Sequence, residues 1–119
     1  MAGFMGNAVA RHAASGAVFA PVGSWVAARA SSSANQAGRQ WIKIQPQGRS
    51  TIRLAIRYVN RNADGTFTTP TSAAHGDYKI PSDGGILVEP ISDDVTIFLR
   101  AVQNGGSSGG VKCIVTEFS

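Results

Sequence analysis

The segment Asp94-Val-Thr-Ile-Phe-Leu-Arg-Ala-Val102 and the later segment Val111-Lys-Cys-Ile-Val-Thr-Glu-Phe118 decide the fold. In both, the side chains alternate with a period of two, which is typical of β-strands, whereas a helix would scatter the same residues around its axis. Residues 104–110, which separate them, contain no bulky side chain and predict a loop. We therefore expect the two segments to form a long antiparallel hairpin.

Both faces of this predicted hairpin are apolar. A strand that is apolar on one side needs one cover, and a strand that is apolar on both sides needs two. The pattern predicts a second sheet against one face. It predicts that a neighbouring subunit or the N-terminal segment of the chain covers the other face.

The sequence upstream continues the β pattern. Ile52, Leu54, Ile56 and Tyr58 share one parity, which predicts a half-buried strand over residues 50–59. Turn signals follow at residues 62–65 and 81–85. Further short strands are predicted at residues 41–45, 66–69, 78–80 and 85–89. The fold class is therefore all-β, an antiparallel β-sandwich or a jelly-roll-like barrel.

Residues 1–40 follow a different pattern. They contain 12 Ala, 5 Gly and 5 Ser, too few bulky side chains to form a core of their own. We expect an extended arm over residues 1–40 and a β-sandwich body over residues 41–119, with Phe4, Phe19 and Trp25 anchoring the arm on an adjacent molecule. The segment is also acid-free and rich in Arg and Ser, as mitochondrial transit peptides are. The sequence does not decide whether the arm docks on its own copy, a sister chain or a different protein.

The composition of the 119 residues disfavours an enzyme. One cysteine and two histidines exclude an intrachain disulfide framework and a multi-cysteine zinc site, and we predict no catalytic residue, no metal site and no cofactor. No apolar run is long enough for a membrane span. Charged residues are only 15% of the chain.

The charges are divided unevenly along the chain. Residues 1–63 carry eight of the eleven Lys and Arg residues and none of the seven acids. Arg49, Arg53 and Arg57 share one parity and predict a basic strand face, which we interpret as a protein interface paired with carboxylates of a neighbouring copy. Binding of nucleic acid is the alternative, but it calls for interleaved aromatic residues, and Tyr58 has the opposite parity.

Four other patterns resemble sites and are better explained as ordinary structure. The glycine-rich stretches lack the P-loop pattern. His75-Gly-Asp77 has no nucleophile signature beside it and predicts a polar turn. Cys113 lies between apolar neighbours as a buried residue would. Asp93 and Asp94, with Asp83 upstream, suggest calcium ligands but lack EF-hand spacing.

The stretch from Ile80-Pro-Ser-Asp-Gly-Gly to Leu-Arg-Ala-Val102, followed by residues 111–118, resembles small virion structural proteins of tailed bacteriophages, of the head decoration, cement, spike or collar type. The resemblance covers about a third of the chain. It implies a non-enzymatic virion protein that oligomerises, often as a trimer, and whose partners are its own copies and other virion proteins such as a major capsid protein. The alternative is a carbohydrate-binding or other ligand-binding β-sandwich, in which Phe67 and Tyr78 are the aromatic residues near turns.

Overall fold

The computed structural model describes residues 13–31, 34–72, 74–103 and 109–119. They form two antiparallel four-stranded sheets packed face to face, which confirms the predicted β-sandwich. The first sheet has the strand order β1-β8-β3-β6 and the second has the order β2-β7-β4-β5. The strands are β1 (Ala13–Pro21), β2 (Val26–Ala27), β3 (Trp41–Gln47), β4 (Ile52–Asn60), β5 (Tyr78–Pro81), β6 (Leu87–Pro90), β7 (Val95–Gln103) and β8 (Gly110–Phe118). No helix among the described residues is long and apolar enough to cross a membrane.

The core lies between the sheets and follows the period-two pattern. Strand β4 turns Ile52, Leu54 and Ile56 inward, and all three are fully buried. The remaining large core residues come from β3, β6, β7 and β8: Ile42, Ile44, Leu87, Ile97, Leu99, Val111 and Val115. Burial of such branched apolar side chains stabilises the fold by about 2 kcal/mol each.

The predicted hairpin of the last two strands is wrong, although both strands exist. β7 pairs with β4 and β2, whereas β8 pairs with β3 and β1 in the other sheet. The two strands are the inner strands of opposite sheets and contribute to the core from both sides. Alternation specifies which side chains point inward, but it does not specify which strand lies alongside.

The predicted boundary at residue 40 is not a boundary in the described part of the chain. β1 pairs with β8 along all nine of its residues, and β2 pairs with β7. Ala20 and Ala28 are fully buried in the core. The small residues of this region therefore pack into the sandwich, because short side chains let the backbone lie close to its neighbours. The first twelve residues of the predicted arm lie outside the described residues.

One short strand was also predicted where the chain forms none. Residues 66–69 belong to an irregular segment between β4 and β5. Asp64 accepts hydrogen bonds from the backbone N–H and the hydroxyl of Thr66, at 3.0 and 2.6 Å. Such an Asx turn competes with strand pairing. This explains why residues 66–69, although rich in β-branched threonine, do not form a strand.

Candidate functional site

The outer face of the second sheet, here the covered face, is covered by the chain itself. Trp25 is 6% exposed and packs against Ala55 and Phe98, which point outward from β4 and β7. Its indole N–H donates to the carbonyl of Thr71 at 3.1 Å, and the Arg100 guanidinium lies 4.6 Å from the centre of its ring. A buried tryptophan with its N–H satisfied and a cation on its ring is a structural element of the body.

This finding corrects the role predicted for Trp25 and limits the other two anchors. Trp25 is held by its own chain and presents almost no surface to a second molecule. Phe19 is 58% exposed on β1 and remains accessible to a partner. Phe4 lies outside the described residues.

The segment between β4 and β5 is tied onto the covered face by arginine side chains. Arg57 donates to the carbonyl of His75 at 2.6 Å, and Arg100 donates to the carbonyl of Ser72 at 2.5 Å. The Asp77 carboxylate accepts from the backbone N–H of Tyr58 at 2.8 Å. His75 and Asp77 therefore belong to a polar connecting segment, as the sequence predicted.

The predicted basic strand face is real in part and is wider than predicted. Arg53 and Arg57 share one side of β4, whereas Arg49 lies in the turn before the strand. By cross-strand register, Lys79 of β5 and Arg100 of β7 flank Ala55 on the same side. Among the described residues none of these five cations has a carboxylate within ion-pair distance.

A groove of about 610 Å³ opens beside Trp25 and Phe67. The guanidinium groups of Arg29 and Arg61 lie 5.8 and 4.9 Å from the centre of the Phe67 ring. Arg61 is itself bonded to the Asp94 carboxylate at 3.0 Å. The Phe67 ring is thus engaged by the chain's own cations, which leaves it poorly placed to stack on a sugar.

Tyr78, the other aromatic residue considered for ligand binding, belongs to a polar cluster that joins the sheets. Tyr58 donates to Glu89 at 2.7 Å, and the hydroxyls of Tyr58 and Tyr78 are also 2.7 Å apart. Burial and the bond to Glu89 raise the pKa of Tyr58 far above its ordinary value. The cluster connects β4 and β5 of one sheet to β6 of the other and has a structural explanation.

A buried ion pair joins Arg39, which precedes β3, to Glu117 of β8. The two side chains are fully buried, with 2.7 Å between Arg39 Nη1 and Glu117 Oε2. Glu117 also accepts the backbone N–H groups of Ala30 at 2.7 Å and Gln36 at 3.0 Å. Sequence reasoning missed this pair, because two oppositely charged residues 78 positions apart carry no local signature.

The remaining candidates behave as structural residues. Burial raises the pKa of Cys113 to about 12, so its thiol is protonated at neutral pH and is a poor nucleophile. Asp93 accepts the backbone N–H of Gly38 at 2.8 Å. No group of three or more potential metal-ligating side chains occurs within the described ranges.

The outer face of the first sheet, here the open face, has no such cover among the described residues. Register places Phe118 of β8 beside Trp41 of β3, and Val88 of β6 beside Lys43. Trp41 is 44% exposed, Val88 53% and the neighbouring Ile86 56%. Ile114, also outward on β8, is half-buried. Exposed large apolar side chains clustered on one sheet are typical of an interaction surface.

The described strands of the open face also present no acidic side chain outward. Its charged residues are Lys43 on β3 and Lys112 on β8, both outward by strand alternation.

Comparison with protein-family models, with curated proteins and with solved structures found no match for this chain. The open face is the candidate functional surface of this chain.

Proposed function

We propose that this chain is a non-enzymatic structural protein that assembles with copies of itself, and that it serves in the virion of a tailed phage as a capsid decoration, cement or related assembly protein. The observation that carries the self-assembly is the open face, an exposed apolar sheet surface on a chain that covers its other sheet. The virion assignment is supported by the resemblance of residues 80–102 and 111–118.

The partner on the open face is a second copy of this chain, packed sheet against sheet. Strands about 4.8 Å apart and about 30 Å long give a flat area on the order of 500 Å² per copy, before side-chain relief is added. Two such faces bury on the order of 1,000 Å², which is near the lower limit for a specific interface. The contact is therefore weak enough to be reversible and suits a protein that acts as one of many copies.

The lysines of the open face give this assembly a distinctive salt dependence. Two faces that each carry Lys43 and Lys112 bring like charges together. Salt screens that repulsion, and it also strengthens the burial of Trp41, so self-association should tighten as salt is raised.

Sedimentation equilibrium across protein and salt concentrations tests the proposal. Wild type should show a mass above 12.4 kDa that rises with concentration and with salt. Val88→Asp, which places a charge on the open face, should weaken association by at least about tenfold. Thr51→Asp, at an exposed turn position, is the matched control and should leave association unchanged.

Two results would refute parts of this proposal. If Val88→Asp associates as tightly as Thr51→Asp does, the open face is not part of the self-association contact. Mass spectrometry of purified particles tests the virion assignment, because a structural component must be present at many copies per particle. Its absence from the particles would refute that assignment while leaving self-assembly intact.

Nucleic-acid binding is a second candidate, favoured by Arg49, Arg53, Arg57, Lys79 and Arg100, for which the described residues provide no carboxylate within ion-pair distance. It makes the opposite salt prediction, because displaced counterions weaken binding by orders of magnitude between about 50 and 200 mM salt when several phosphates are contacted. Fluorescence anisotropy with a labelled DNA duplex, comparing wild type with Arg53→Ala, measures this directly. An affinity that does not change across that range would exclude it.

A further inference from the structure

Strand β1 is an edge strand with one partner only. It pairs with β8 along its full length, and it is the outermost strand of the first sheet. No described residue outside β8 makes a backbone hydrogen bond to the stretch from Ala13 to Ala20. In an antiparallel strand, successive N–H and C=O groups point alternately to the two sides. Half of the backbone groups of β1 therefore point away from β8.

The other three edges of the sandwich are protected, whereas nothing in the described ranges protects the edge of β1. β2 has two residues, β5 has four with Lys79 and Pro81, and β6 has four and ends at Pro90. Short length, lysine and proline are the usual means by which natural proteins prevent edge pairing. β1 has nine residues and no charge, and its proline is the final residue.

The free edge of β1 is held in place and accessible. A Cβ at Gly16 would lie 2.3 Å from the carbonyl oxygen of Ala30, so the neighbouring segment supports β1 closely from below. A groove of about 370 Å³ lies beside β1, and its lining includes Val18, Phe19 and Val26 as well as the polar Arg29 and Ser31. The edge is thus a preformed template with space beside it.

The side chains of β1 fit a second β1 in the antiparallel direction. Its outward residues Ala13, Ser15 and Ala17 are small, and Phe19 alone is large and exposed. An antiparallel pairing centred on Ala17 places Phe19 of each copy opposite Ser15 of the other. The single bulky residue then lies over a small one in both places, without two aromatic rings colliding.

We propose that β1 pairs antiparallel with β1 of a second copy, which joins two four-stranded sheets into one of eight strands. Identical antiparallel strands are related by a twofold axis perpendicular to the sheet, so the contact is isologous and closed. The same axis places the two open faces side by side on one surface. The inference extends the proposed function by a second contact, and that contact rests on a different set of atoms.

Hydrogen exchange measured by NMR on the full chain tests this contact at single amides. Alternate amides between Ala13 and Ala20, those directed away from β8, should exchange more slowly as protein concentration rises. Exchange at the same rate as in a free edge at all concentrations would overturn the proposal. Protection that is independent of concentration in a monomer would also overturn it, because residues 1–12 of the same chain would then occupy the edge.

Proline substitution tests the same contact by mass. Ala17→Pro and Val18→Pro are adjacent, and one of them removes an N–H that points away from β8, where proline is tolerated. The substitutions are made in the Val88→Asp background, where the open-face contact is weakened, and the variant that keeps the melting temperature of Val88→Asp alone is the informative one; it should lose the remaining species of twice 12.4 kDa. A full retention of that species in the folded variant would contradict the pairing.

Val88→Asp separates this inference from the proposed function. It should weaken the open-face contact and leave the concentration-dependent protection of β1 intact. If Val88→Asp does not weaken association and the concentration-dependent protection of β1 persists, only the edge contact is supported. If the protection is absent and Val88→Asp still weakens association, the open face stands alone.

Discussion

β7 and β8 are inner strands of opposite sheets, and both are apolar on both sides, yet they end in different surroundings. On β7 the outward residue Phe98 is 3% exposed, because Trp25 packs over it. On β8 the outward residues Ile114 and Phe118 are only half-buried, and their neighbour Trp41 is exposed. The same sequence pattern therefore requires a cover in both strands, but the described part of the chain supplies that cover to β7 only.

The two tryptophans of the chain offer the most direct way to break this comparison. Trp25→Ala removes the cover of the covered face and should lower the free energy of unfolding by about 3–5 kcal/mol, because it leaves a cavity over Phe98. Trp41→Ala removes an exposed side chain and should cost less than about 1 kcal/mol in dilute monomer. Urea unfolding of both variants measures the difference. Equal losses would mean that the two faces are not distinct.

Glu117 tests the inner side of β8, where the cover is complete. Glu117→Gln leaves the Arg39 guanidinium buried without its counter-charge, and it should cost about 3 kcal/mol. The double variant Arg39→Met with Glu117→Leu removes both charges and should recover part of that loss, although the N–H groups of Ala30 and Gln36 lose their acceptor. Thermal unfolding followed by circular dichroism is sufficient. A double variant less stable than the single one would contradict this explanation.

Cys113 provides a pH test of the same inner side. Its pKa is raised by burial from 9.0 to about 12, so above pH 9 the unfolded chain loses a proton that the folded chain keeps. The contribution of this group to stability is therefore fully present below pH 9 and falls as pH rises toward 12, by at most about 1.4 kcal/mol per pH unit. Cys113→Ala should lack this contribution, which urea unfolding of both proteins at increasing pH would detect. Parallel pH profiles would refute it.

Arg100 gives the smallest expected effect and sharpens the description of the covered face. Arg100→Ala removes the cation on the Trp25 ring and the bond to Ser72, and it should cost about 1 kcal/mol. Arg53→Ala, at an exposed position of the same face, is the control and should be close to neutral. A loss of the same size in both would indicate that the contact with Trp25 contributes nothing measurable.

Alternation predicted the strands that carry large residues and failed where the residues are small. β3, β4, β7 and β8 follow from their isoleucine, leucine and valine spacing. β1 was interpreted as part of an arm, because Ala, Ser and Gly bury too little apolar surface to show which side faces a core. The strand forms nevertheless, because β8 supplies its hydrogen bonds and Ala30 approaches Gly16 closely.

The candidate surfaces were predictable to a similar degree. The sequence alone predicts that Arg53 and Arg57 lie on the same side of a strand, because they are four positions apart within β4. The open face was not, because Trp41, Phe118 and Val88 come together only through pairing between distant strands. Burial of Trp25 by Thr71 and Arg100 likewise depends on residues far away along the chain.

The pairing of β1 with β8 also determines when β1 can fold during synthesis of the chain. Ala13 lies opposite Phe118, so the first described strand has to wait for residues that are synthesised about a hundred positions later. Contacts between such distant positions close a long loop and form slowly. Until then, an uncharged strand-forming segment emerges from the ribosome without its partner strand β8. β1, whose edge is the least protected against pairing, is thus also among the last strands to pair. Dependence on chaperones during synthesis is the expected consequence.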